Sequence, residues 1–449
     1  MHARVRAESP ARTIFRVTSG NFLEMYDFSV FGFYAVSIAH ALFPRGSEFV
    51  SLMLSLITFG VAFLMRPIGA LVLGAYIDRK GRRKGLLLTL GLMAVGMLMI
   101  TFAPGYQTIG IAAPILVVTG RLLQGFSAGA ELGGVSVYLA EMAPPKRRGF
   151  FVSWQSGSQQ LAVIFAAVLG VVLRWQLTPQ QMEAWGWRIP FLIGCLIIPV
   201  LFAIRRRLRE TEAFEARKTP PSPRQIFQSL REHCRTIAGA IMLVTLTAVM
   251  FNLITAYTPT YGQRVLKLPA IDAYFVTMAV GLTNFTMLPI IGALSDKIGR
   301  RPILTVCASL VILTAYPAMH WLAHAPSLPH LLIVEVWYAM IYGSYQAGMV
   351  VALTEIMPAH IRSTGFSLVW SIAQAAFGGF TPAICTMLIH STGNLAMPAV
   401  WLSCAAVVAL LATFRMFPKA QAAEAAEAPE EVDVPSSMAF DDGLQQQHP

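Results

Sequence analysis

Apolar stretches of roughly 20 residues or more, the length of a bilayer-spanning helix, recur twelve times along the 449-residue chain. They fall near 18–43, 51–77, 84–103, 110–141, 150–173, 187–204, 236–260, 271–294, 303–322, 329–355, 364–389 and 396–415. An all-α integral membrane protein with twelve transmembrane helices is the fold class that follows. Composition leaves room for little else. Of the residues, 55% are hydrophobic and 13% charged, and twelve spans use about 240 of the roughly 247 apolar residues. No separate soluble core remains.

The net charge of +11 raises the question of nucleic acid, and the positions of the basic residues answer it. They form no patch. With both termini inside, the cytoplasmic segments hold 27 Lys and Arg against five in the outer loops (Arg45, Arg174, Arg188, Arg264, Lys267), while Arg66 and Arg121 lie within helices. That bias is the positive-inside pattern of a multi-pass protein of the cytoplasmic (inner) membrane. The first apolar stretch carries Asn21, Glu24 and Asp27, which fits a retained helix and not a cleaved signal peptide. The five cysteines stand singly, without the spacing of a metal or redox site. Neither a metal nor a cofactor is expected.

The longest polar gap, 205–235, separates six helices from six, and charged turns repeat across it. GAYIDRKGRR (74–83) is answered by GALSDKIGRRP (292–302), and AEMAPPKRRGF (140–150) by TEIMPAHIRSTGF (354–366). Two pseudo-symmetric six-helix halves with a cavity between them are transporter architecture. The expected organisation is a cytoplasmic N-terminus (1–17), a first bundle (18–204), a cytoplasmic linker (205–235), a second bundle (236–416) and a disordered acidic cytoplasmic tail (417–449).

The motif G-x-x-x-D-R/K-x-G-R-R, present twice, resembles the signature of the major facilitator superfamily; the first copy departs from it in having Tyr76 where the family usually has Leu. NFLEMYDF (21–28), RPIGA (66–70), RLLQGFSAGAELGG (121–134), WGWRIPF (185–191) and RETEAF (209–214) are similar to the metabolite:proton symporter branch. Over residues 14–416 the chain resembles the citrate and tricarballylate proton symporters within it. The resemblance implies proton-coupled uptake of citrate or a related tricarboxylate by alternating access, by a monomer whose other partners are protons and the lipid bilayer. A dicarboxylate or a zwitterion such as betaine is the alternative cargo.

Ionisable groups inside a membrane helix are costly unless paired or wetted, which makes each a functional candidate. At 1.5 Å rise per residue, Glu24 and Asp27 lie roughly 9 to 14 Å from the cytoplasmic end of the first helix, and Glu131 and Arg66 about 15 to 16 Å from that end of theirs. These four are the expected proton-coupling layer, in the first half. Arg66 alternatively does no more than neutralise Glu24 or Asp27. In the second half Tyr345 stands where the repeat pairs Glu131, and Glu335 falls near an outer helix end, so proton chemistry is not expected there.

Arg121 offers planar, permanently charged recognition of a carboxylate. The family resemblance also associates an Arg at this motif position with proton coupling, and both roles stay open. Gln124, Gln155, Gln159, Asn252 and Tyr257 are the neutral candidates for substrate binding, with interhelical hydrogen bonding as the plainer reading. Asp78 with Arg82, and Asp296 with Arg300, are expected to latch the helix ends as gates around the turn glycines Gly81 and Gly299. The chain shows no nucleophile constellation, nucleotide loop or appended signalling domain, which disfavours an enzyme, a primary pump and a solute sensor. The two-half repeat disfavours a channel.

Overall fold

The computed structural model describes residues 10–44, 48–80, 82–129, 132–144, 146–206, 228, 231–358 and 362–417. Among them the helices group into twelve successive segments, with no strand. These are α1 (Pro10–Phe33, continued as Ala35–Leu42), α2 (Glu48–Leu64 and Arg66–Lys80), α3 (Arg82–Thr101), α4 (Ala112–Ala128 and Leu132–Met142), α5 (Arg148–Gln176) and α6 (Arg188–Arg206). The later six are α7 (Cys234–Phe251, continued to Val265), α8 (Ala270–Ile298), α9 (Arg300–His324), α10 (Leu328–Ile356), α11 (Arg362–Ala373 continued to Thr392) and α12 (Pro398–Met416). In hydrocarbon every backbone amide must be bonded within its own element, which a helix accomplishes alone.

By length and composition, seven of these helices can cross a membrane unaided, and two bent pairs also qualify: the two parts of α1, bent by 67°, and α6 with the short helix Pro179–Gly186 before it, bent by 42°. Of the other three, α3 opens on Arg82, Arg83 and Lys84; α4 carries Arg121 and Gln124 and flanks residues 130–131, which lie outside the described residues; α10 carries Glu335, Gln346 and three tyrosines. α1 begins at Pro10, earlier than the apolar pattern indicated, since proline is tolerated in a first helical turn. Leu196, Leu313 and Leu411 are well exposed on the outer surface, which suits a lipid-facing wall. Residues 207–227 and 229–230 of the linker and 418–449 of the tail fall outside the described residues.

Apolar side chains gain little by leaving lipid for a protein neighbour, so close backbone contact has to hold the bundle together. Any Cβ at Gly125 would overlap the Ala62 carbonyl, and one at Gly129 the Arg66 carbonyl, so α4 lies directly against α2. That contact fixes the height at which Arg121, one turn before Gly125, faces α1. Arg188 of the WGWRIPF segment donates to the carbonyls of Thr101 (3.1 Å) and Ala103 (2.7 Å) and stacks on Trp187. It thereby satisfies the carbonyl end of α3.

The first six helices meet the last six most extensively where α5 packs on α8. They also meet at both ends of the bundle. At the end carrying the chain termini, Asp296 of α8 accepts hydrogen bonds from the Gly149 and Phe150 amides at the start of α5 (2.8 and 3.2 Å). At the opposite end Tyr274 donates to the Phe33 carbonyl at 3.0 Å, and His40 lies 3.2 Å from Arg264, while within the first half it stands 3.5 Å from Glu183. With contacts between the halves at both ends, this is a closed conformation.

Candidate functional site

α1, α2 and α4 bring four charges into the interior of the first half as two separate ion pairs. Arg121 reaches Asp27 Oδ2 at 3.3 Å, and neither side chain is exposed at all. Gln124 completes a triangle: its Oε1 accepts from the same Arg121 Nη1 at 2.9 Å, and its Nε2 donates to Asp27 Oδ1 at 2.9 Å. Glu24 and Arg66 form the second pair at 3.0 Å. Both guanidinium carbons sit 4.4 Å from the centre of the Phe28 ring. Arg66 also stacks on Phe63, and Arg121 on Phe31 and Phe59, contacts that favour a guanidinium over an ammonium.

Only one edge of Arg121 is used. Its Nε and Nη2 are buried and make no hydrogen bond among the described residues, so the group keeps two donors in the fork geometry that suits a carboxylate.

Next to the pairs runs a narrow internal cavity between the halves. Phe28 and Ser29 of α1, Arg66 of α2, Gln159 of α5, Asn252 of α7 and Gln374 of α11 all line it. Arg66 therefore stands at the cavity wall, whereas Arg121 is enclosed behind the phenylalanines. This inverts their expected exposure to substrate: the cation placed with the coupling residues is the one the cavity reaches directly.

The neutral candidates divide. Gln159 lines the cavity and donates to Asn21 Oδ1 at 3.2 Å, while Asn21 donates to the Gln155 carbonyl at 2.9 Å. That bond uses the Gln155 backbone; its side-chain Oε1 accepts from the Ser156 hydroxyl, and its Nε2 is buried without a hydrogen bond among the described residues. Asn252 donates to the Ala248 carbonyl and to Gln374 Oε1 at 3.2 Å. Tyr257 accepts from Thr386 at 3.0 Å, away from the cavity lining. The residues that sequence reasoning missed are Gln374, a lone glutamine in an apolar stretch, and Asn21, whose amide ties the first helix to the fifth.

Of the gating candidates, Asp296 and Arg300 pair at 2.9 Å, and Arg300 also reaches Glu355 at 3.0 Å. Gly299 turns with φ +84, the left-handed backbone expected of that glycine. The side chains of Asp78 and Arg82, with Gly81 and Glu131, lie outside the described residues.

The model of the Major Facilitator Superfamily matches residues 17–382 and 275–440. The chain belongs to the major facilitator superfamily. Its relatives in that superfamily include a citrate-proton symporter of Salmonella typhi, 55% identical over 404 residues that cover 90% of this chain and 93% of the relative. A proline/betaine transporter of Escherichia coli is 31% identical over 89% of this chain and 82% of its own length. Among solved structures, a partially occluded inward-open form of the xylose transporter XylE from E. coli superposes with a TM-score of 0.74 at 19% identity, covering 91% of this chain and 98% of that one. That likeness places the helices in the major facilitator fold, and the matched curated relatives are transporters and not enzymes.

Proposed function

We propose that this protein is a secondary active transporter carrying citrate or a related tricarboxylate inward together with protons. Bundles 18–204 and 236–416 alternate access to the central cavity, and the chain works as a monomer in the cytoplasmic membrane with both termini inside. The observation that carries this reading is the buried Asp27–Arg121–Gln124 triangle beside a cavity lined by both halves, in a chain 55% identical to citrate-proton symporters.

The cycle follows from the charges. A proton on Asp27 removes the counter-charge of Arg121, whose unused donors then favour a substrate carboxylate. Arg66 offers a second cation at the cavity wall, and Gln159, Asn252 and Gln374 supply neutral groups for the remaining carboxyl and hydroxyl oxygens. Loss of the proton on the inner side returns Arg121 to Asp27 and releases the substrate. Asp296 and Arg300 act as a gate at the start of α5, and Asp78, Arg82 and Glu131 keep the gating and coupling roles that their motifs suggest.

Energetics demand such coupling. Moving an anion into a negative interior costs about 2.3 kcal/mol per charge per 100 mV, so a trivalent citrate entering alone faces roughly 7 kcal/mol. Co-transported protons offset this.

The substrate assignment is tested by uptake of radiolabelled citrate into vesicles, with competitors. Citrate and tricarballylate should compete, and succinate and betaine should compete weakly. Betaine competing as well as unlabelled citrate would favour the zwitterion reading suggested by the proline/betaine relatives.

A further inference from the structure

α7 runs unbroken to Val265 but widens into two π-helical turns, Asn252–Tyr257 and Tyr261–Val265, on either side of Thr258, Pro259 and Thr260. Wide turns of this kind mark places where a helix is adapted to function or motion. Facing Thr258 is Glu335 of α10, only 4% exposed. Its Oε1 lies 3.0 Å from Thr258 Oγ1, and its Oε2 is buried without a hydrogen bond among the described residues. No ion pair reaches it there. The titratable groups that feel its charge are Tyr261 of α7 and Tyr338 of α10 itself; among the described residues no ion pair or side-chain hydrogen bond reaches it from α5, α8, α9 or α11. Both phenols donate elsewhere, Tyr261 to the Leu395 carbonyl and Tyr338 to the Ala315 carbonyl.

Counting protons decides what the contact with Thr258 is. The hydroxyl has one proton and three oxygens within reach: the Ile254 carbonyl at 2.8 Å, the Leu253 carbonyl at 3.3 Å and Glu335 at 3.0 Å. A threonine inside a helix habitually gives its proton to the carbonyl four residues back, here the shortest of the three. Two oxygens 3.0 Å apart then need a proton from the glutamic acid. A carboxylate isolated from water and from cations takes up a proton for the same reason.

We propose that Glu335 is a second proton-binding site, in the C-terminal half, neutral in the closed conformation and donating its O–H to Thr258. This rests on the proton-symport reading. Movement at the α7 π-turns separates Thr258 from Glu335 and admits water, to which the acid gives up its proton as a carboxylate. Rebinding a proton from the outer side restores the contact. Glu335 then carries one proton per cycle beyond the one on Asp27.

The test uses the full chain in liposomes, with protons per citrate read from the reversal potential of citrate flux. Glu335→Gln keeps the shape of the neutral acid, so packing should survive. The expected result is one proton fewer per citrate and the loss of one step from the pH profile of transport, with citrate affinity at acidic pH unchanged. An unchanged proton count and pH profile overturn the proposal. Absence of proton movement in the unmodified protein would remove the symport reading itself, and that outcome shows before any variant is made. Thr258→Val provides an independent arm, because it leaves Glu335 in place. Loss of an acceptor that stabilises the protonated acid should move the pH midpoint of transport downward by about one unit. An upward shift, or none, contradicts a protonated Glu335 donating to Thr258.

Discussion

Asp27 of α1 and Arg121 of α4 meet at 3.3 Å with no exposed surface on either side chain, and Gln124 bonds to both. A buried charge without its partner carries a large penalty, so in the proposed cycle protonation of Asp27 also redirects Arg121, and coupling and recognition share that side chain.

Asp27→Asn leaves a buried guanidinium without its counter-ion, a loss that typically costs 3 to 5 kcal/mol, or roughly that range, when one member of a buried pair is removed. Thermal unfolding in detergent should show a markedly lower transition. Gradient-driven accumulation should be abolished while exchange of bound substrate survives. The double variant Asp27→Asn with Arg121→Gln should recover part of the stability but none of the accumulation. Normal accumulation by Asp27→Asn would remove Asp27 from the coupling step.

Arg121→Lys tests whether the planar group matters. An ammonium cannot stack on Phe28 and Phe31 while also meeting Asp27 and Gln124, so transport should fall by about tenfold or more, the factor that corresponds to about 1.4 kcal/mol. Arg66→Lys should lower citrate affinity and leave proton coupling intact, because Arg66 lines the cavity, whereas Arg121→Lys should lower both. Binding titrations beside measurements of protons moved per citrate separate the two, and a loss of coupling in Arg66→Lys equal to that in Arg121→Lys would contradict the distinction.

Asp296→Ala removes the acceptor for the Gly149 and Phe150 amides and a partner of Arg300. The end of the bundle that carries the termini should open more often. Cysteine labelling at Ser367→Cys, a position buried on α11 beside Gly133, should speed up in the Asp296→Ala background. Labelling at the parent rate would assign Asp296 to anchoring alone.

Much of this was legible in the sequence because the bilayer permits so few solutions. Twelve apolar stretches, a repeated turn and the motif around Arg121 lead to the fold, and membrane depth singles out Glu24, Asp27, Arg66, Arg121 and Glu131, the last of which lies outside the described residues. Partner choice was less accessible. Depth along a helix axis does not give rotation about it, so Asp27 and Glu24, three residues apart, could not be apportioned between the two arginines. Rotation likewise decides that Arg66 and not Arg121 borders the cavity. For a related reason the burial of Glu335 against Thr258 of α7 is not legible: distance from a helix end gives depth but not the neighbouring helix that covers the side chain.

The central claim is that substrate entry is driven by protons, and uptake of radiolabelled citrate by liposomes under an imposed pH gradient tests it most directly. Uptake should rise as external pH falls, collapse when a protonophore is added, and be indifferent to sodium. Citrate uptake that requires sodium and persists with the protonophore would contradict the account.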